Sequence, residues 1–239
     1  YLFEQHYTGV VEERLLDIEL KIIKPMMDYM SEYDLTVGEV DLYLIAKHAP
    51  ERNATIADRR KDLQDGGSGM TNADAEQVIA EFRAAGKLKG LSKVVPLVRK
   101  LVEEGRSALK DSDLTSDAQD YRLKNKWKFY VPLKGFSEDE ESDGNTFRNT
   151  GKGFDVRGRE FNIATGRTSM PDSPIANLLA DVTASIVRAE KNVVARSLYE
   201  LVKANPNPEY WEILTDDSAK EYSGLDKKGL AKLVKKNPQ

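Results

Sequence analysis

The sequence predicts a mainly α-helical chain: a helical bundle with two long helices and a small irregular or β-hairpin lobe. Apolar residues recur at three- and four-residue spacing through most of the chain, and capping residues stand before several of those runs. Only Trp127–Val131 offers a good strand candidate.

From Glu4 to Tyr33, Val10, Val11, Leu15, Ile18, Ile22, Ile23, Met26, Met27 and Met30 keep a helical period. Pro25 lacks an amide hydrogen and is expected to kink or split this helix. Thr36-Val37-Gly38-Glu39 has the form of a capping box, which starts a second helix expected to stop at Ala49, before Pro50. Asp65-Gly66-Gly67-Ser68-Gly69 is a loop by composition. Thr71 opens a third helix that Ala85-Gly86 closes, and a fourth runs from Ser92 to Leu109 with Pro96 tolerated in its first turns. A short helix after Thr115 leads into the strand candidate. From Pro174 to Ala204 the period supports one helix of about 45 Å, capped by Asp172 or Ser173 and the natural packing partner of the 4–33 helix. Asn205-Pro206-Asn207-Pro208 ends it, and Tyr210-Trp211 are expected to fold back onto the bundle.

Ser137–Asn149 is acidic and aperiodic, which places the main boundary there. The organisation expected is a helical domain at 1–136, an acidic linker at 137–149, a Gly/Arg-rich lobe at 150–173, and a long helix with a C-terminal tail at 174–239 packing on the first part. The basic segment Lys227–Lys236 reads first as a solvated last helix, with membrane or nucleic-acid contact as the alternative. Tyr1 in place of Met, entering directly into a helical pattern, leads to the expectation of a piece of a larger polypeptide.

Composition bounds the chemistry. Among 239 residues the charged fraction is 32%, above the usual ~25%, yet 36 basic against 40 acidic residues leave a net charge of only −4, so no global field draws in nucleic acid. Without cysteine there is no disulfide, thiolate or cysteine-zinc chemistry, and two histidines leave little for a histidine metal centre. No metal, cofactor or membrane span is expected.

Several clusters are candidate sites. The glycine stretches 66–69 and 151–153 lack the Gly-Lys-Ser/Thr ending and preceding strand of a phosphate loop. His48, Glu51 and Arg52 are the catalytic candidates: His48 shuttles protons with Glu51, or merely bonds the last helix carbonyls. Glu12, Glu13, Asp17 and Glu19 are interleaved with Arg14 and Lys21 as on a solvated face. Lys152, Arg157, Arg159 and Arg167, with Phe154 and Phe161 between them, form a basic and aromatic cluster suited to DNA, unless they pair with the acidic segment. Arg188-Ala189-Glu190-Lys191-Asn192 reads as an interhelical polar contact that sets register.

Tyr130-Val131-Pro132-Leu133-Lys134-Gly135-Phe136 resembles the Pro-Leu-x-Arg-Phe-Gly signature of the giant polyvalent proteins of bacteriophages and conjugative elements, departing from it at Lys134-Gly135-Phe136. Segments 42–53, 65–70, 166–169, 188–192 and 205–208 are similar to segments found in the same order in such proteins. The resemblance implies a domain of a very long polypeptide, a virion protein delivered into the host cytoplasm with the DNA and acting there, for example against restriction. It implies no catalytic assignment for this segment. The partners expected are the rest of the parent polypeptide, other virion proteins and DNA. Alternatives are part of a phage enzyme, such as a virion RNA polymerase or a DNA-modifying counter-defence protein, and a structural homo-oligomer in a virion ring or tube.

Overall fold

In the computed structural model the chain is mainly helical, and residues 2–135, 164–207, 209–211 and 213 are described. It divides into two compact units, Tyr1–Val193 and Val194–Gln239. The expected linker at 137–149 and most of the 150–173 lobe lie outside the described residues.

The first helical stretch meets the proline problem by changing its pitch. Helix α1 (Leu2–Ile18) passes into a π-helical turn (Glu19–Ile23) and then into α2 (Lys24–Glu32). The Lys24 amide donates to the Glu19 carbonyl, five residues back, just ahead of Pro25, which has no amide to donate. The wider turn lets the stretch continue without a break.

Thr36 caps α3 (Val37–Ala57) with the full reciprocal box: the Glu39 amide donates to Thr36 Oγ1 at 3.2 Å, and the Thr36 amide donates to Glu39 Oε2 at 2.9 Å. The helix does not stop at Ala49. It carries Pro50 on its exposed face and runs on to Ala57, because the added turns bury Asn53 and Ile56, each 1% exposed. That burial offsets the roughly 3 kcal/mol an interior proline costs. Thr71 caps α4 (Asn72–Ala84), accepting from the Asp74 amide at 3.1 Å, and α4 packs on α3.

α5 begins earlier than its pattern suggested, at Leu88, and ends at Asp111, so Pro96 lies in its interior rather than its first turns. Here too the proline is exposed, while Leu91, Val94, Val98 and Leu101 on the other face are buried. Burying one such side chain is worth about 1.5–3 kcal/mol, enough to override the local penalty. α2 packs on α5. Ser116 caps α6 (Asp117–Lys126), whose Asp120 pairs with Arg106 of α5.

α7 (Pro174–Ala204) is anchored at its start by two side chains. Ser173 Oγ accepts from the Ala176 amide, and the buried Asp41 carboxylate of α3 accepts from the Ile175 amide at 3.0 Å, placing negative charge at the helix N-terminus. Farther along, Arg14 Nη1 of α1 donates to Glu190 at 2.8 Å and Asn192 donates to the Ser112 carbonyl at 2.7 Å. The polar 188–192 segment thus makes interhelical contacts. Ile175, Leu178, Val182 and Ile186 join Val40, Leu44, Leu91 and Val94 in one core.

In the second unit, α7 ends at Ala204 and the Trp211 indole donates to the Asn205 carbonyl at 2.9 Å. Tyr210 and Trp211 are exposed.

No strand forms at Trp127–Val131. Lys128 and Phe129 give their amide hydrogens to the Glu51 carboxylate instead of to a neighbouring strand, at 3.0 and 3.1 Å. Among the described residues the one β-type pairing is an isolated parallel bridge between Ser68 and Arg167.

Candidate functional site

The three catalytic candidates sit together on α3, but closed to solvent where it matters. His48 is wholly buried, edge-on to the rings of Trp127 and Tyr130 at centroid distances of 5.1 and 5.8 Å. Neither imidazole nitrogen has a hydrogen-bond partner. Burial, reinforced by the Arg52 cation, pushes its pKa down to about 3, so the ring is neutral at physiological pH. Its Nδ1 stands 3.6 Å from Glu51, which would be an ion pair only if the imidazole were charged. Glu51 itself is committed to the two amides of Lys128 and Phe129. A general acid or base must reach its substrate and carry a pKa near the working pH. His48 does neither, and the set fits a structural role: α3 pinning the 127–130 stretch.

Of the DNA candidates, Arg167 is 4% exposed. Its guanidinium turns inward, donating to the Ser169 carbonyl at 2.7 Å and, through Nη2, to Ser169 Oγ and the Met170 carbonyl at 3.1 Å. It is therefore not a surface phosphate ligand. Lys152, Arg157 and Arg159 lie outside the described residues.

Arg167 belongs instead to a polar knot. Its amide donates to the Gly67 carbonyl at 2.9 Å, and the Asp172 amide donates to the Lys134 carbonyl at 2.8 Å, so the 65–70, 131–135 and 166–172 segments are laced together. Asn53 of α3 organises the first of these. Its amide oxygen accepts from the Ser68 amide at 2.7 Å, and its nitrogen lies within 3.0 Å of Asp65 Oδ1, the Met70 carbonyl and Asn72 Oδ1. Glycine is required here by geometry: Gly69 has φ +90° and a Cβ there would stand 2.1 Å from the Ser169 carbonyl oxygen, while one on Gly67 would stand 2.6 Å from Ile56. The glycine-rich stretch is thus an internal joint rather than a phosphate cradle.

A third cluster was missed by the sequence reading because its members come from three elements. Lys47 Nζ of α3, Arg99 of α5 and Lys128 Nζ lie 4.5, 5.3 and 5.3 Å from the centre of the Phe129 ring. Lys126 Nζ lies 4.6 Å from the Trp127 ring. Arg99 also donates to the Lys128 carbonyl at 3.2 Å, fixing α5 to the stretch. Lys126 has its pKa lowered by partial burial and then by the positive charges of Arg59 and Arg52. The only local hint was the alternation Lys126-Trp127-Lys128-Phe129, which also reads as strand.

Among the described residues no group of His, Asp and Glu could hold a metal ion, and no helix is long and apolar enough to cross a membrane. No protein-family model matches the sequence, and comparison with curated proteins and with solved structures gives no significant match.

Proposed function

We propose that the chain is a non-catalytic, helical interaction domain of a giant phage-encoded protein that travels in the virion and enters the host with the DNA, serving as a scaffold for attached domains. In this reading the 4–33 and 174–204 helices form the long-helix frame and 150–173 a small hairpin lobe. The reading rests on the ordered set of sequence segments that resembles the polyvalent proteins. The observation that carries its non-catalytic part is the use to which those segments are put. Asn53 bonds Ser68 and Met70, Arg167 bonds Gly67, Ser169 and Met170, the Lys134 carbonyl accepts from Asp172, and Gly67 and Gly69 make room for Ile56 and Ser169. Such residues would recur in a family because the joint fails without them, with no reaction required.

Peptide mass spectrometry of purified virions of the encoding phage tests the reading. Peptides from this region and its flanks at a fixed copy number are expected; absence from virions, with expression only after infection, would move the assignment to an intracellular enzyme or counter-defence factor.

A further inference from the structure

Cations gathered around aromatic rings, and outnumbering the carboxylates beside them, form a surface already matched to a polyanion that carries flat rings of its own. Lys47, Arg59, Arg99, Lys126 and Lys128 form no ion pair among the described residues. Two carboxylates lie nearby: Asp181 pairs with Lys134, and Glu51, whose charge the two neutral backbone amides do not cancel, offsets one of the five cations and leaves the stretch net positive. Buried His48 is neutral and offsets nothing. The rings are still available at the surface, Trp127 and Phe129 being half-buried and Tyr130 37% exposed.

We propose that the 126–130 stretch, with Lys47 and Arg99 flanking it, is a binding face for a single-stranded nucleic acid. Lys47, Arg99, Lys126 and Lys128 take phosphates, and unpaired bases stack beside Trp127 and Phe129. An acidic peptide would satisfy the cations and leave the rings without a role. A duplex keeps its bases stacked on one another and presents only phosphates to a half-buried ring. The stretch is also held in place before any ligand arrives, because Glu51 and Arg99 fix the backbone of residues 128 and 129 from two helices. Little ordering cost is then left for binding. This inference is independent of the phage assignment and stands or falls separately from it.

The test uses the full 239-residue chain and a fluorescent thymidine oligonucleotide of about 20 nucleotides, followed by anisotropy between about 50 and 200 mM salt. The double variant Lys126→Ser/Lys128→Ser should bind about tenfold more weakly, with a log–log salt slope shallower by about 1.4, the value for two single-strand phosphate contacts. A control, Lys93→Ser/Lys100→Ser, removes two exposed lysines elsewhere on α5 and should leave both quantities unchanged. In a Trp211→Phe background Trp127 is the sole indole, and its fluorescence should be quenched on binding. Unchanged affinity and slope in the 126/128 variant would overturn the proposal, as would binding without quenching. Equal or tighter binding of the matching duplex overturns the single-strand assignment, and equal binding of poly-glutamate reassigns the face to an acidic protein.

Discussion

The polar joint around Asn53 and Arg167 and the basic stretch at 126–130 are both built from charged or amide side chains, yet they dispose of them in opposite ways. In the joint, most donors and acceptors find one another: Asn53 lies within 3.0 Å of four partners and Arg167 donates to three acceptors, with its buried Nη1 left without one. In the basic stretch, cations lie over rings, form no ion pair, and outnumber the Glu51 carboxylate that accepts from the Lys128 and Phe129 amides. Buried polar groups that are mutually satisfied hold a fold in one arrangement, whereas exposed cations left unpaired contribute little to stability and remain free for a partner. The two regions meet on α3, which sends Asn53 into one and Lys47 and Glu51 into the other.

The largest expected effect comes from His48, buried on the same helix. Its pKa falls from an ordinary 6.5 to about 3 on folding. The unfolded chain therefore binds a proton that the folded chain refuses. Stability from this group is fully present above about pH 6.5 and is lost as pH falls towards 3, up to on the order of 4–5 kcal/mol. His48→Leu should remove that dependence and move the acid-unfolding midpoint to lower pH. It should cost little at neutral pH, since neither nitrogen has a partner to lose. Unfolding curves at a series of pH values check both parts, and an unshifted acid midpoint would contradict the burial argument.

Next in size is the joint itself. Asn53→Ala strands the buried Ser68 amide, while the Met70 carbonyl keeps the Ser68 hydroxyl as a donor, and should cost about 1–3 kcal/mol in denaturant unfolding. Gly69→Ala meets both a left-handed backbone and the Ser169 carbonyl. It should release the 166–170 segment, read as faster hydrogen exchange at the Arg167 amide while the α5 core stays protected. The smallest effect sharpens the comparison from the other side. Lys126→Ser/Lys128→Ser should change unfolding free energy by no more than about 0.5 kcal/mol. A large loss there would mean that the cations serve the fold rather than a partner.

Much of the local structure was legible. Thr36, Thr71 and Ser173 each cap the helix that follows, because a hydroxyl before a periodic apolar run satisfies amides whose position is set within three residues. The prolines were read less well. Local pattern predicts a helix stop at Pro50 and a first-turn place for Pro96, yet both lie inside helices. Their penalty is local, whereas the burial of Ile56 or Leu101 that overrides it depends on elements far along the chain. The accessibility of the site candidates escapes the sequence for a related reason. His48, Glu51 and Arg52 are adjacent in sequence and look like a reactive set, but accessibility is a property of what packs over them.

The sequence by itself determined that this is a helical chain without thiol chemistry, and where several of its helices begin, because periodicity and capping act over a few residues. The tertiary structure decided which polar residues are interior and which are offered to solvent. Arg167 turned inward because three loop segments closed around it. Lys47, Arg99 and Lys128 came together on one ring because α3, α5 and the 126–130 stretch converge there. Charge and aromaticity are written residue by residue, but whether a cation is neutralised depends on neighbours as far off as the 176 positions between Arg14 and Glu190, and only packing brings those into range.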